Sequence, residues 1–362
     1  MNNSFLFTST ICLRTKSNFC NVFCYTIVFI GCLRLINHFT VYKQKNINLD
    51  RVAKDQNDIL ANNTKIELDC NSKLGNPGDF AIIPLISLPG AGNTWVRFLI
   101  EQATGIATGS TYNDGSLAKS LIGEKRNPMG QETIVIKSHS INRIRGKYFQ
   151  VPQDQRPKIK GCILVIRSPR DAILAEFIRK NTRSHTGILP DLRELLSKSD
   201  EWQKTSTRTA RGWYGLYQQA VTFCDGQMGQ PSEKLGGDPE IRKKGHFVIV
   251  YETLKESPEK LISVMKNVTN YINSKNDVNH QVPFREKCLI KNFEGNYHRK
   301  NSREWDVAEF FTIGARKSIN KGVEIVRELF TGMIPESYWI DLSNWSDRKR
   351  RELSDYFSSK MK

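Results

Sequence analysis

The sequence predicts an α/β fold in which a doubly wound parallel sheet is flanked by helices. Short apolar runs, typical of strands that are buried on both faces, alternate with longer segments of helical periodicity. This alternation favours parallel strands that are joined by helical crossovers. Polar residues follow several of the apolar runs, at the carboxyl ends of the strands, where open α/β sheets bind their ligands.

Eight main elements are predicted in chain order. We expect strands at 82–88, 133–137, 161–166 and 247–251, and helices at 94–104, 171–180, 202–223 and 258–272. Ser257 and Pro258 mark the start of the last helix, because serine is a preferred N-cap and proline is favoured at the first helical position. The glycine-rich, charged stretch 225–246 is predicted to be a surface insertion. Later helices are expected to pack over the sheet through Trp305, Phe310, Phe311, Val323 and Leu329.

The turn between the first strand and the first helix is predicted to bind phosphate. It reads Pro89-Gly90-Ala91-Gly92-Asn93-Thr94-Trp95. Glycine permits positive φ and the close approach of an anion, and the free N–H groups of the first helical turn point at it. No lysine follows the glycines, so a Walker A loop for ATP or GTP is disfavoured. The alternative is a turn that only joins strand to helix, with its tryptophan in the core.

Three further polar residues are expected at strand ends beside this turn. Lys137 and His139 follow one predicted strand, and Arg167 follows the next. A histidine can accept a proton near neutral pH, because its ordinary pKa lies close by, and a lysine can stabilise developing negative charge. An arginine can hold a phosphate as a fork of donors. The alternatives are an ordinary polar histidine, a lysine that lies along the strand end, and an arginine in a structural ion pair.

These segments together resemble the sulfotransferase superfamily, whose members transfer a sulfuryl group from 3′-phosphoadenosine 5′-phosphosulfate (PAPS). Residues 89–95 stand where that family has its phosphosulfate loop. Ile136-Lys137-Ser138-His139 is similar to the segment with the general base, Arg167-Ser168-Pro169-Arg170-Asp171 to the 3′-phosphate motif, and Val250-Tyr251-Glu252-Thr253-Leu254 to a later strand end. Within the superfamily, the chain resembles the sulfotransferase domain of the WSC-domain-containing (WSCD) family over about residues 80–340, without the cysteine-rich WSC modules.

The resemblance implies the P-loop-like sulfotransferase fold and a role for each matched residue. It implies His139 as the general base and Lys137 as the group that stabilises charge on the sulfuryl group and the departing phosphate. The residues implied to bind PAPS are Pro89, Gly90, Ala91, Gly92, Asn93, Thr94, Trp95, Arg167, Ala175, Tyr251, Arg299 and Lys300. Two positions depart from the pattern of the sulfotransferase superfamily, since Gly90 replaces a lysine and Ala175 replaces a serine, and the resemblance implies that both changes are habitual in the WSCD family. No metal is expected, because no spacing suggests a zinc or calcium site.

The net charge of +17 favours acidic partners. No helix-turn-helix, zinc-finger or RNA-binding signature is present, so nucleic acid is not an expected partner. PAPS itself is strongly anionic, and the resemblance implies a glycan or glycoprotein acceptor, sialic acid among them. The acceptor pocket is expected to come from 107–130, 140–158 and 181–200. A binding protein of the same fold that retains a nucleotide or an anionic glycan without turnover is the alternative, because of the two departures.

We expect a type II protein of the Golgi membrane with a lumenal catalytic domain. The expected parts are a cytosolic tail at 1–18, a signal anchor at 19–42, a stem at 43–79, the sulfotransferase domain at 80–345 and a charged tail at 346–362. The apolar run is short for a membrane span, and a cleaved signal peptide is the alternative. Sequons that could carry glycans in the lumen begin at Asn62, Asn267 and Asn344.

Four cysteines fall within the expected stem and domain, and their pairing stays open. They are Cys70, Cys162, Cys224 and Cys288. Four cysteines allow three connectivities, and the sequence does not choose between them. Cys162 lies in a strand that is expected to be buried, so we expect it to be a free core thiol. A bridge between Cys224 and Cys288 is then one candidate.

Overall fold

A computed structural model describes residues 68–226, 245–295, 297 and 306–343 of the chain. The fold below belongs to the unit Asp69–Lys362, which is separate from Met1–Leu68. The expected signal anchor, the basic pair Arg299 and Lys300, Trp305 and the C-terminal tail lie outside the described residues. None of the helices in the described ranges combines the length and the apolar character of a membrane span.

A parallel sheet lies at the centre of this unit. Its strands are β1 (Pro84–Ser87), β2 (Gly109–Ser110), β3 (Ile136–Ser138), β4 (Cys162–Ile166) and β5 (His246–Val250). Their order across the sheet is β2-β3-β1-β4-β5, and each neighbouring pair is parallel. After β1 the chain crosses to the edge strand β2, returns to β3 beside β1, and then continues with β4 and β5 on the other side of β1. The strand order therefore reverses beside β1, and ligands bind at such a point in open α/β sheets.

Helices and single 3₁₀ turns connect the strands. The helices are α1 (Asn93–Thr104), α2 (Ile141–Phe149), α3 (Pro169–Thr182), α4 (Leu192–Lys198), α5 (Asp200–Gly226), α6 (Pro258–Lys275), α7 (Glu286–Asn292), α8 (Ile313–Leu329) and α9 (Glu336–Ser343). The 3₁₀ turns lie at Gln153–Gln155, Glu252–Lys255, Val278–His280 and Val307–Phe310.

Both faces of the sheet are covered, which confirms the predicted doubly wound arrangement. Successive strand side chains point to opposite faces, so each strand contributes to two apolar clusters. One cluster joins the sheet to α3, α5 and α8 through Ile86, Leu164, Phe177, Trp213 and Val323. The other joins it to α1 and α6 through Leu85, Ile163, Leu99 and Met265. Burial on both sides explains why the strands appear in the sequence as continuous apolar runs.

The predicted elements exist, and their bounds differ by a few residues from those expected. Ser257 caps α6 as predicted, since its side-chain oxygen accepts a hydrogen bond from the backbone N–H of Lys260. The third strand lies at Ile136–Ser138 because it pairs with β1 from Pro84 onward. β2 was not predicted, because two residues, glycine and serine, make no apolar run. Residues 227–244 of the expected insertion lie outside the described ranges.

The expected cysteine chemistry is wrong. Cys162 is not a free thiol but forms a disulfide with Cys224, and Cys288 pairs with Cys70 rather than with Cys224. Cys162 on β4 and Cys224 near the end of α5 belong to the same apolar cluster, with Cα atoms 5.8 Å apart, within the range that a disulfide requires. Burial in a strand therefore did not isolate this thiol, because the covering helix presents a second cysteine.

Candidate active site

The turn from β1 into α1 has the backbone of an anion-binding loop. Gly90 and Gly92 have φ values of 82° and 84°, in the left-handed region that glycine adopts without strain. Gly92 is the N-cap of α1, no side chain caps this helix, and its first turn carries no acidic residue. The first N–H groups of an uncapped helix have no partner within the helix and favour an anion.

Gly90 packs directly against the backbone of α3. A Cβ atom at this position would lie 2.1 Å from the carbonyl oxygen of Ala172 and 2.8 Å from the amide nitrogen of Glu176. Ala175 lies on the same helix and is half-buried. The lysine that the family usually has at position 90 therefore cannot replace glycine here without movement of the loop or of α3.

Trp95 lies in the core beneath this turn. Its side chain is 4% exposed, its Nε1 donates a hydrogen bond to the carbonyl oxygen of Phe293 at 2.9 Å, and its ring meets Tyr251 edge to face. Ala91 and Asn93 are also buried, whereas Pro89 and Thr94 are half-buried. Thr94 is thus the residue of the turn with a polar side chain that is partly open to solvent.

Lys137 and His139 lie at the carboxyl end of β3, beside the same turn. The register pairs Ile86 of β1 with Ser138, which brings Ser87 next to His139. His139 Nδ1 lies 2.8 Å from the carbonyl oxygen of Ser87, and its backbone N–H donates to the Tyr112 hydroxyl at 2.9 Å. Lys137 is 5% exposed, and its ammonium lies 5.7 Å from the centre of the Tyr112 ring.

Burial shifts the ionisation of both residues toward the neutral form. Desolvation, assisted by the positive charge of Arg97, lowers the pKa of Lys137 to about 8. Desolvation, assisted by the charge of Lys137, lowers the pKa of His139 to about 3. Near neutral pH the imidazole is therefore uncharged, while the lysine keeps most of its charge.

A second group of polar residues surrounds this pair. His185 Nε2 lies 3.0 Å from Asp114 Oδ2, and Arg143 lies over the Tyr112 ring, with its Cζ 4.4 Å from the ring centre. Burial opposes ionisation of Asp114, but hydrogen bonds from Ser116 and His185 lower its pKa to about 2. The positive charges of Arg179 and His185 contribute to the lowering of the His139 pKa.

These residues fall within or near the segments that were expected to form the acceptor pocket, but none of them was predicted as a site residue. The sequence signal was weak there, because those segments carry few diagnostic residues. Ser87 was also missed, although the parallel register of β1 and β3 places it beside His139.

Arg167 connects β4 to the glycine turn. Its Nη1 donates a hydrogen bond to the carbonyl oxygen of Gly90 at 2.8 Å, and its guanidinium lies over the Tyr251 ring at 4.4 Å. Glu252 accepts a hydrogen bond from the backbone N–H of Ser168 at 2.9 Å. Burial raises the pKa of Glu252, and the charge of Arg167 opposes that shift. The predicted 3′-phosphate motif and the Tyr251 segment are thus adjacent to the turn.

The site offers donors and positive charge that fit an anion. Its backbone turn, Arg167 and Lys137 are suited to phosphate or sulfate oxygens. Among the residues that the structure describes, no three His, Cys, Asp or Glu side chains are grouped to hold a metal ion.

Comparisons with known proteins identify relatives over part of the chain. A WSCD family member of Drosophila melanogaster is 35% identical over 133 residues, 37% of this chain and 38% of that protein. One of Drosophila pseudoobscura pseudoobscura is 36% identical over 129 residues, 36% of this chain and 37% of that protein. One of Aedes aegypti is 36% identical over 216 residues, 60% of this chain and 56% of that protein.

The matches thus span between about two fifths and just over half of the length of these curated relatives. No family model matches the sequence. A structure of mouse sulfotransferase SULT7A1 complexed with PAP aligns with 74% of this chain and 88% of its own, at 13% identity and a TM-score of 0.36. The resemblance to the WSCD family that the motifs predicted is confirmed by the sequence relatives over the matched part of the chain.

Proposed function

We propose that the protein is a PAPS-dependent sulfotransferase that transfers a sulfuryl group to a hydroxyl of a glycan. One observation carries the proposal: a neutral histidine and a buried lysine lie at the end of β3, and the histidine is hydrogen-bonded to Ser87, just before the glycine turn. A base and a cation beside an anion-binding turn suit transfer of an anionic group to a hydroxyl. The WSCD relatives support the same assignment.

The nucleotide would lie along the turn and the ends of β1 and β4. The N–H groups of residues 92–94 and the Thr94 hydroxyl would hold the 5′-phosphate, since the N–H of Ala91 donates to the carbonyl oxygen of Leu88 within the turn. Arg167 would hold the 3′-phosphate with N–H groups that its bond to Gly90 leaves free, because a guanidinium has five donors. Tyr251, Trp95, the surface at Pro89 and Ala175, and the basic pair Arg299 and Lys300 would complete the nucleotide site.

The transfer itself would be an in-line displacement at sulfur. The acceptor hydroxyl oxygen forms a bond to sulfur while the bond from sulfur to the 5′-phosphate oxygen breaks, and the bonding pair stays on the phosphate. The hydroxyl proton moves to His139 Nε2. Lys137 stabilises the charge that grows on the phosphate, a task that falls to it and to backbone N–H groups because Gly90 has no side chain.

The low pKa of His139 is consistent with this role once the substrates are bound. The nucleotide brings several negative charges next to the imidazole, and nearby negative charge raises the pKa of a histidine. The same field raises the pKa of Lys137 from about 8 and keeps its ammonium charged. Binding of the anionic co-substrate would thus prepare both residues for the reaction.

The proposed location is the lumen of the Golgi, with the chain anchored in the membrane as a type II protein. Two disulfides within the folded unit support an oxidising compartment, because disulfides persist in secretory compartments and are rare in the cytosol. Glycans on membrane and secreted proteins are available in that compartment. Sialic acid is among the proposed acceptors.

The experiment is transfer of radiolabelled sulfate from PAPS to a panel of glycoproteins, each tested with and without prior sialidase treatment. We expect label on at least one acceptor with the wild type and almost none with His139→Ala. Loss of label after sialidase would support sialic acid as the acceptor, and unchanged label would exclude it.

A second candidate function is binding without turnover. The steric closure of position 90 favours it, since the family's usual lysine cannot be accommodated there. Calorimetric binding of PAP by the wild type, combined with no label on any acceptor, would support this function over the enzyme.

A further inference from the structure

We propose that Asn93 and Ser87 position the imidazole of His139, so that one hydrogen-bonded chain joins the nucleotide turn to the base. The inference rests on the proposed function for its catalytic meaning. Neither side chain would touch the reacting atoms, so both side chains have a positioning role rather than a catalytic one.

The contact between His139 and β1 fixes the tautomer of the ring. Nδ1 lies 2.8 Å from the carbonyl oxygen of Ser87, and a carbonyl oxygen can only accept a hydrogen bond. Nδ1 must therefore carry the proton, and in the neutral ring Nε2 then carries the free electron pair. This hydrogen bond also favours the protonated imidazole, since it opposes the lowering of the His139 pKa by burial.

The Ser87 hydroxyl is fully used in this arrangement. It donates its single proton to the carbonyl oxygen of Leu88 at 3.0 Å and accepts a hydrogen bond from Asn93 Nδ2 at 3.0 Å. Its second lone pair is available to His139 Nδ1, which lies 3.3 Å away. Nδ1–H is thus shared between the carbonyl and hydroxyl oxygens of the same residue.

The Asn93 amide has one orientation that satisfies its neighbours. Nδ2 donates to the Ser87 hydroxyl and, at 3.2 Å, to the carbonyl oxygen of Leu85. A flipped amide would set Oδ1 against that carbonyl oxygen, which is a repulsive contact. Asn93 is 3% exposed, and within the described residues its Oδ1 has no hydrogen-bond partner. The amide therefore keeps its donors on the side of β1, at the expense of a buried acceptor that costs stability.

The position of this chain in the fold gives it a consequence for function. Asn93 is the first residue of α1 and belongs to the turn that would receive the 5′-phosphate, while Ser87 ends β1 next to His139. A shift of the turn on nucleotide binding would reach the imidazole through two hydrogen bonds. The base would therefore be aligned most accurately when the nucleotide is in place.

The test compares Ser87→Ala and Asn93→Ala with Ser206→Ala, which removes the hydroxyl of another fully buried serine, on α5. Small misplacements of a catalytic group cost up to about 100-fold, so we expect each site variant to lower kcat roughly 10- to 100-fold with little change in PAP affinity. Ser206→Ala should resemble the wild type. The double variant should be no slower than the slower single variant, because both act through one chain.

A background variant separates positioning from general structural damage. In a His139→Ala protein, adding Ser87→Ala should leave the residual rate unchanged, because there is no imidazole left to position. A further drop of 10-fold would overturn the inference, as would site variants that match Ser206→Ala while His139→Ala is inactive. In that last case the proposed function would stand and only the positioning chain would fail.

Nuclear magnetic resonance of ¹⁵N-histidine-labelled protein tests the chain without any activity. The chain has six histidines, so the signal of His139 is assigned by its loss in His139→Ala. We expect the proton on Nδ1 in the wild type, and the same tautomer in Asn93→Ala, because the carbonyl oxygen of Ser87 that fixes it is still present. A proton on Nε2 in the wild type would refute the arrangement even if sulfate transfer is confirmed. This measurement on the wild type also decides the matter if an alanine variant fails to fold.

Discussion

The two sides of the candidate site present different chemical groups to a ligand. On the nucleotide side, the turn at Gly90 and Gly92 offers backbone N–H groups and packs so closely on α3 and Tyr251 that no side chain fits. On the other side, Lys137 and His139 act through side chains whose charges are set by burial and by neighbouring cations, Arg97 for Lys137 and Lys137 for His139. Substitutions on the nucleotide side should therefore act through the volume of the new side chain, and substitutions on the other side through its charge.

Removal of the base should have the largest effect on turnover. We expect His139→Ala to lower kcat by ~10²- to 10⁴-fold, the usual contribution of a general base, with PAP affinity nearly unchanged. Initial rates and calorimetric PAP titration on the same preparation measure both quantities. Wild-type turnover in this variant would show that His139 takes no part in the mechanism. The proposed contrast between a backbone side and a side-chain side of the site would then fail.

Loss of the buried Lys137 ammonium should have the second-largest effect on turnover. Lys137→Ala should reduce kcat by at least ~10²-fold, because a preorganised charge in a water-poor site is worth several kcal/mol in the transition state. Lys160→Ala is the matched control, since that lysine is 40% exposed and pairs with Asp277 on the surface. If both variants lost activity to the same extent, the effect would reflect net charge rather than the site.

On the nucleotide side, the prediction concerns stability rather than charge. Gly90→Lys restores the residue that the family usually has, yet it should destabilise the fold by roughly 1–3 kcal/mol or more, because it forces positive φ on a lysine and meets the backbone of α3. Gly212→Ala, at a helical position with open space around it, should be neutral or slightly stabilising. Thermal unfolding of both variants decides the point.

A stable Gly90→Lys protein with raised activity would contradict that expectation. It would mean that the turn can open by the width of a side chain, and that the nucleotide side is less rigid than its close contacts suggest.

The smallest expected effect is a pH dependence of activity and stability that comes from the titration of Lys137. The pKa of Lys137 is lowered from 10.5 to about 8 in the folded protein, so without nucleotide its ammonium is lost as the pH rises through about 8. The unfolded chain keeps this proton up to its own, higher pKa. The contribution of this group to folding stability therefore rises with pH between about 8 and 10.5, while its contribution to catalysis falls.

The two opposite trends can be measured side by side. The rate at low PAPS concentration should decrease above pH 8 while the thermal stability difference between wild type and Lys137→Met narrows. A saturating concentration of PAPS should move the alkaline limb to higher pH, because the bound anion favours the charged lysine. An alkaline limb that is identical in Lys137→Met would assign it to another group.

Sequence reasoning succeeded where a pattern repeats over several residues. The apolar runs at 82–88 and 161–166 predicted the strands β1 and β4, and the two glycines predicted the positive φ values of the turn. It failed where the answer depends on which surfaces meet. The pairing of Cys162 with Cys224 depends on the face that α5 turns to β4, and no local pattern encodes that face.

The same contrast between local sequence patterns and tertiary contacts holds for the residues of the candidate site. Lys137, His139 and Arg167 were predicted because they follow apolar strands directly, and the structure brings all three to one edge of the sheet. The Asp114–His185 pair joins residues that are 71 positions apart, so it could not be read from spacing. Ser87 was within reach of sequence reasoning, but only with the register of β1 on β3 in hand.

The two disulfides give the domain a nested covalent topology. The Cys162–Cys224 loop lies inside the loop closed by Cys70 and Cys288, and the outer loop encloses the whole stretch from Ser87 to Glu252. A protease that cuts the backbone once inside the outer loop cannot release a fragment, because both pieces stay joined through Cys70 and Cys288. The nicked protein would migrate as a single species until it is reduced, and such a cut need not separate the nucleotide turn from the base.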